Sequence, residues 1–332
     1  MGELRIGILG AARIAPNAII KPAREVPDAT VTAIAARDTG RARAFAAKYG
    51  IPVVHGDYRE LVADPQVDAV YVPLPNGLHA RWTLAALEAG KHVLCEKPLT
   101  SDADEARQVA DAARDSGLVV MEAFHYRYHP LAARVRELLN DGAVGTVRHV
   151  ETALCFPLPR FRDIRYRLDL AGGAYMDAGC YAVHFLRLLG GATTGAEPQV
   201  TKASAKLRTP GVDRYLSAEF RFPDGATGRA TASMWSARLL DVSATVVGDA
   251  GRLRVFNYVL PQAYHRLTVR SRGRTLRERV PGDASYTHQL RAFVAAVRDG
   301  GPNLTPPDDS VRTMALIDAA YRAAGLRPRG SG

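Results

Sequence analysis

GILGAARIAP (residues 7–16) stands where an apolar run, Leu4 to Leu9, gives way to glycine and small residues, and a helical pattern from Ala15 to Glu25 follows. A strand that turns tightly into a helix can bring backbone N–H groups against a pyrophosphate. Gly10 opens the usual G-x-G-x-x-G spacing, but Ala12 and Ala15 hold its second and third glycine positions. The motif is therefore weak on its own, and its place decides its meaning. It follows the first strand of a chain that keeps alternating short apolar runs with helical segments. Further strands are predicted at Thr30 to Ala36, Ala69 to Val72, Val93 to Cys95 and Val119 to Glu122. Helices are predicted at Arg41 to Tyr49, Ala80 to Ala89 and Asp102 to Asp115, each followed by a glycine. This rhythm demands a parallel sheet with helices on both faces, a Rossmann-type α/β domain over residues 1–125.

Beyond residue 125 the rhythm changes. A helix from Pro130 to Asn140 leads into a long strand, Val147 to Phe156, and hairpin patterns follow another helix. Asp224-Gly225 separates two strand patterns, as do Gly248 to Gly251. Helices near Ser285 to Arg298 and Asp308 to Ala324 finish the chain. Residues 126–332 are thus expected to form an α+β domain on a large, mostly antiparallel open sheet, with the last helices able to pack back on the first domain.

The second strand ends in Ala35-Ala36-Arg37-Asp38. An acid at its tip would bond the ribose 2′-hydroxyl of NAD. Ala36 stands there instead, followed by Arg37, whose guanidinium can pair with a 2′-phosphate. The cofactor predicted is NADP(H) in preference to NAD(H), although Arg37 also reads as a solvated arginine. Arg41 either assists or lies on the outside of the next helix.

HVLCEKPL (92–99) raises a second question, because an apolar strand ends by offering an acid and an amine side by side. Lysine is costly to desolvate, so Lys97 either reaches solvent or is placed for chemistry. With Gly10, Arg37 and this stretch in one chain, the sequence resembles the glucose–fructose oxidoreductase/inositol dehydrogenase (Gfo/Idh/MocA) family. VYVPLPNGLH (70–79), DIRY (163–166) and AGGAYMDAGCY (171–181) extend the match over almost the whole chain. The branch it looks closest to is that of the NADP-dependent dihydrodiol dehydrogenases and D-xylose dehydrogenases, where a tyrosine also stands four residues after the motif's aspartate. Inositol dehydrogenases usually carry histidine there.

The resemblance implies an oxidoreductase that passes hydride between a nicotinamide and a hydroxyl- or carbonyl-bearing carbon of a sugar, sugar derivative or cyclic diol. It implies a Lys97–Pro98 peptide that is commonly cis, and Tyr181 facing Lys97 across a cleft. Tyr181 is then the general acid/base and Lys97 its electrostatic partner, with the exchange of their roles left open. Asp177, four residues before Tyr181, would hold a substrate hydroxyl. The cofactor contacts implied are Gly10, Ala11, Ala12, Arg13, Ile14, Arg37, Leu74, Asn76, His79, Glu96, Lys97 and Arg165. His79 reads equally well as a cap of the next helix. Phe124, His125 and Arg127 would wall the substrate pocket, unless they are hinge packing. Two other readings stay open: a ketoreductase for a nucleotide-linked deoxysugar, and a non-catalytic NADP(H) sensor.

The 332 residues, 47% hydrophobic and 23% charged, exclude wholesale disorder. No run is long and apolar enough to span a membrane, and the start lacks a signal-peptide layout. Cys95, Cys155 and Cys180 are widely spaced in apolar surroundings and read as reduced core residues, with no metal set among them. A cytoplasmic location is expected. The formal charge of +10 is spread out, and its densest run, HRLTVRSRGRTLRER (265–279), alternates like a hairpin. It suggests a solvated basic face rather than a nucleic-acid site. Pairing into a homodimer or homotetramer through the second domain's sheet is expected from the family.

Overall fold

The computed structural model describes residues 2–194 and 196–330. The chain divides into two compact units. One comprises Met1–Thr100, Asp104–Tyr128 and Asp283–Val311; the other comprises Ser101–Ala103, His129–Gly282 and Arg312–Gly332. Residues 283–311 thus group with the first unit despite their position late in the chain.

The first unit holds a six-stranded parallel sheet of β1 (Leu4–Leu9), β2 (Ala29–Ala35), β3 (Val53–His55), β4 (Ala69–Val72), β5 (His92–Cys95) and β6 (Val120–Glu122). Their order is β3-β2-β1-β4-β5-β6, so the chain reverses its direction of travel between β1 and β4. The strands are apolar on both faces because both are covered. Ile6, Ile8 and Ile34 pack on one side with Ile19, and with Leu290 and Phe293 from a late helix, Ser285–Asp299. Leu9, Val70 and Val93 pack on the other side with Trp82, Leu87 and Val109. β3 and the helix Tyr58–Ala63 went unread in the sequence, since β3 is three residues long and begins on a Val53 that is 41% exposed.

The second unit holds an eight-stranded sheet of β7 (Val147–Cys155), β8 (Gln199–Thr209), β9 (Val212–Arg221), β10 (Thr227–Ser233), β11 (Asp241–Gly248), β12 (Gly251–Phe256), β13 (Arg266–Ser271) and β14 (Arg274–Glu278). The order is β14-β13-β12-β11-β7-β10-β9-β8, antiparallel throughout except for β7 beside β10. The Thr152 hydroxyl of β7 donates to the carbonyl of Ala182 at 2.8 Å and ties the helix Cys180–Thr194 to one face. Ala230, Ala244 and Val246, on that face, are buried. Arg252 and Arg254, with Arg270 of the basic run, lie on the opposite face and are exposed, so that face carries basic side chains to solvent.

Two helices open irregularly. The expected helix from Ala15 to Glu25 begins as a π-helical turn, Pro16–Ile20, before Lys21–Glu25 continues as α-helix. Tyr175–Gly179 is a second π-helical turn, leading into Cys180–Thr194. Wider turns of this kind recur at functional sites, and both lie in the segments that the sequence singles out for chemistry.

Candidate active site

In the first unit, the loops leaving the carboxyl ends of β1, β2, β4, β5 and β6 lie on one edge of the sheet, because parallel strands end together. Register fixes this: Leu9 pairs with Ala35, Val72 with Cys95, and Cys95 with Glu122. Ligands of open α/β sheets bind at this edge, where the strand order reverses. Gly10 sits there with φ of +101°, and a Cβ on it would stand 3.1 Å from Leu74 Cδ2. Its backbone is therefore open to close approach in a way that no larger residue allows. Ala15, at the third glycine position, is fully buried, as tight helix–strand packing requires. Ala11, Ala12 and Ile14 are half-buried and Arg13 is exposed, so the loop is reachable.

At the end of β2, Ala36 is buried and Arg37 exposed. The acid that follows is already engaged, because Asp38 accepts the Arg41 N–H at 2.9 Å and caps the helix Thr39–Tyr49. Arg41 Nη2 lies 3.4 Å from the Ala11 carbonyl, which puts this side chain beside the Gly10 loop. The loop and the tip of β2 thus present three arginines, Arg13, Arg37 and Arg41, and one exposed carboxylate, Asp38, whose Oδ1 serves as the helix cap.

At the end of β5, the Tyr71 hydroxyl donates to Glu96 Oε1 at 2.8 Å, and both side chains are buried. Lys97 beside it is half-buried, and its peptide bond to Pro98 is cis. The Leu99 N–H donates to Glu122 Oε1 at 2.9 Å, and the Ser310 hydroxyl donates to Oε2 of the same carboxylate. Tyr71 and Glu122 were missed in the sequence. Their signal was available, however: Glu122, like Glu96, is an acid closing an apolar strand.

His79 is 1% exposed, with Nδ1 2.7 Å from the Pro98 carbonyl and Nε2 2.7 Å from that of Leu74. Two carbonyls ask for two N–H donors, the charged form. Burial outweighs them and lowers the pKa to about 4, with the Lys97 charge acting in the same direction. The ring is thus neutral at pH 7, with a single N–H to share between the two carbonyls. It ties the Leu74 loop to Pro98, whereas the sequence reading placed it among the cofactor contacts or as a helix cap. Between pH 6.5 and about 4 the unfolded chain binds a proton that the folded one refuses. Stability then falls as pH drops through that window, by up to roughly 3 kcal/mol for a shift of this size. His79→Gln is expected to flatten that part of the profile, measured as denaturant midpoint against pH.

Phe124 and His125 are buried, and Arg127 is 9% exposed. His125 Nδ1 lies 2.8 Å from the Ser285 hydroxyl, and its ring centroid is 4.0 Å from that of Tyr286. The unit's own late helix thus packs on His125, while Phe124 meets the Tyr126 ring edge-on at 6.3 Å. Leu74 and Asn76 are half-buried in the loop after β4.

In the second unit, Arg165 Nε stands 3.0 Å from Asp177 Oδ2 and Nη1 3.2 Å from Asp163 Oδ1. Asp177 foremost, and Asp163 with it, push the pKa of this exposed guanidinium up. The sequence reading gave Arg165 to the cofactor and Asp177 to the substrate; the structure joins the two as an ion pair. Tyr181 is 5% exposed in the first turn of its helix, one turn beyond Asp177. His184 is buried a further turn along. Among the described residues no cluster of His, Cys, Asp and Glu could hold a metal ion, and no helix is long and apolar enough to cross a membrane.

Residues 4–124 match the oxidoreductase family with an NAD-binding Rossmann fold (Gfo/Idh/MocA), and residues 132–254 match the GFO/IDH/MocA C-terminal domain. The chain belongs to the Gfo/Idh/MocA oxidoreductase family. It is 41% identical over 329 residues to the D-xylose 1-dehydrogenase (NADP(+)) 2 of Haloferax volcanii, covering 97% of each chain. It is 36% identical to the dTDP-3,4-didehydro-2,6-dideoxy-alpha-D-glucose 3-reductase of Streptomyces antibioticus, covering 98% of each. Among solved structures, the 3-ketoreductase KijD10 of Actinomadura kijaniata, in complex with NADP and TDP-benzene, superposes with a TM-score of 0.88. That chain is 32% identical, with 98% of each covered. As a Gfo/Idh/MocA member the protein is an NAD(P)-dependent oxidoreductase with a Rossmann domain and a largely antiparallel second sheet.

Proposed function

We propose that this enzyme transfers hydride between NADP(H) and a hydroxyl- or carbonyl-bearing carbon of a sugar, sugar derivative or cyclic diol. The observation that carries the reading is the shared sheet edge, which gathers the open Gly10 loop, Arg37 and Lys97. The bound nicotinamide supplies the hydride chemistry. Gly10 to Ile14 hold the pyrophosphate, Arg37 the 2′-phosphate, and Leu74, Asn76 and Glu96 border the nicotinamide half. Arg165 acts by holding Asp177, which binds a neighbouring substrate hydroxyl.

Oxidising an alcohol requires taking its hydroxyl proton as hydride leaves the carbon, and reduction runs the same steps backwards. That proton is assigned to Tyr181. A free phenol has a pKa of about 10, and an ammonium brought to it favours the phenolate. Lys97 is assigned that charge and a hydrogen bond to the substrate hydroxyl. Pairing of copies through the exposed sheet face, as a dimer or tetramer, and residence in the cytoplasm complete the reading. The latter accords with three buried free thiols, among which burial pushes Cys155 up to about 12.

A second substrate reading, reduction of a keto group on a dTDP-linked deoxysugar, is favoured by the full-length similarity to the Streptomyces reductase. Fluorescence titration with NADPH and NADH tests the cofactor, and NADPH is expected to bind more tightly. Parallel assays with free aldoses plus NADP+, and with a dTDP-linked ketosugar plus NADPH, separate the two substrate classes. Turnover of only the latter would overturn the free-sugar reading.

A further inference from the structure

The helix that carries Asp177 and Tyr181 begins on a buried knot of charges outside the residues assigned to chemistry. Asp213, the second residue of β9, is fully buried, and the side chain of Arg329, near the described end of the chain, is 1% exposed. Arg329 Nη2 donates to Asp213 Oδ1 at 2.7 Å, and the Tyr321 hydroxyl donates to the same oxygen at 3.0 Å. The other oxygen, Oδ2, accepts the backbone N–H of Tyr175 at 2.7 Å. Tyr175 opens the π-helical turn Tyr175–Gly179, so Asp213 satisfies an amide that the turn itself leaves without a partner. Arg329 also lies over the Tyr321 ring, 4.1 Å from its centroid, and that ring meets Tyr175 edge-on at 6.2 Å.

The backbone is shaped to admit this knot. Gly173 has φ of +146°, and a Cβ on it would stand 2.2 Å from Asp213 Oδ1 and 2.9 Å from Arg329 Nη2. Its carbonyl then accepts the Asp177 N–H at 3.0 Å. One carboxylate therefore fixes the start of the turn, and the next residues along it are Asp177 and, at the head of the following helix, Tyr181. A buried ion pair contributes little stability beyond what apolar packing of equal volume would give. What it adds is direction, because charge-assisted donors hold both oxygens in one orientation.

We propose that Arg329 is a positioning residue: acting through Asp213, it sets the start of the helix that presents Asp177 and Tyr181 to the substrate. The inference rests on the roles proposed above for those two residues. It separates Arg329 from the cofactor, which it does not touch by this account.

The test compares Arg329→Met, Arg329→Lys, Asp213→Asn and the Asp213→Asn/Arg329→Met double variant in the full chain. Small displacements of reacting groups cost on the order of a hundredfold in rate. Arg329→Met is expected to lower kcat by an amount approaching that, with the NADPH dissociation constant unchanged. Arg329→Lys should recover most of the loss, and the double variant should be no worse than the poorer single, as members of one unit behave. Hydrogen exchange of the amides at 173–181 should quicken in Arg329→Met and return towards wild type in Arg329→Lys. An unchanged kcat, additive losses, or a loss shared equally by NADPH binding would overturn the proposal. Should wild type turn over none of the substrates, the functional reading fails by itself. Exchange then decides the positioning role: quickening confined to 173–181 supports it, and unchanged exchange there overturns it.

Discussion

Tyr181→Phe is expected to lower kcat by about 10²- to 10⁴-fold, the usual contribution of a positioned general acid/base, while leaving NADPH affinity intact. The substitution removes one oxygen from a buried residue and keeps the ring, so the first turn of Cys180–Thr194 has little reason to move. Lys97→Ala is expected to fall in the same range, and the Lys97→Ala/Tyr181→Phe double variant to be little slower than either, because the pair is assigned a single proton transfer. Steady-state rates with near-constant NADPH titrations decide this. Turnover by Tyr181→Phe near the wild-type rate would move the proton to Lys97. It would not move the hydride, which is the cofactor's.

Arg37→Ala carries the second large effect. A guanidinium paired with a phosphate makes charge-assisted hydrogen bonds worth about 1.5–3 kcal/mol in all, or roughly ten- to a hundredfold in affinity. The expected outcome is a loss of that order in kcat/KM for NADP+, with NAD+ affected little. The reason lies in Asp38. Its Oδ1 receives the Arg41 N–H as a helix cap, and removing Arg37 adds no new acceptor for a ribose hydroxyl. The variant should therefore lose NADP+ without becoming a good NAD+ enzyme. Equal losses with both cofactors would show that Arg37 acts on the loop and not on the 2′-phosphate.

The β/α rhythm was legible because a strand buried on both faces must be apolar along its length. Ala69 to Val72 and Leu4 to Leu9 therefore marked their own ends. Val53–His55 lacked that signature, being short and partly exposed. The π-helical turns at Pro16–Ile20 and Tyr175–Gly179 shift a hydrogen-bond pattern by one residue, which no side-chain periodicity records.

The site divided along similar lines. Gly10, Arg37 and Lys97 announced themselves because each departs from what its local element prefers. Residues whose role depends on distant partners did not. His125 meets Ser285, 160 positions away, a partner that nothing in its own stretch points to. Asp213 and Arg329, 116 positions apart, are each ordinary in their own stretch and meet only through the fold. Arg165 and Asp177 were both legible as site residues; their pairing with one another was not.

The central claim is that this chain moves hydride to and from NADP(H) on a sugar-type carbon. Initial rates of nicotinamide absorbance change, with NADP+ and NAD+ against D-xylose, other aldoses, inositols and cyclic diols, test it most directly. The account predicts turnover of at least one aldose or cyclic diol with NADP+ well ahead of NAD+. NAD+ ahead of NADP+, or tight NADPH binding with no turnover of any member or of a dTDP-linked ketosugar, would contradict it.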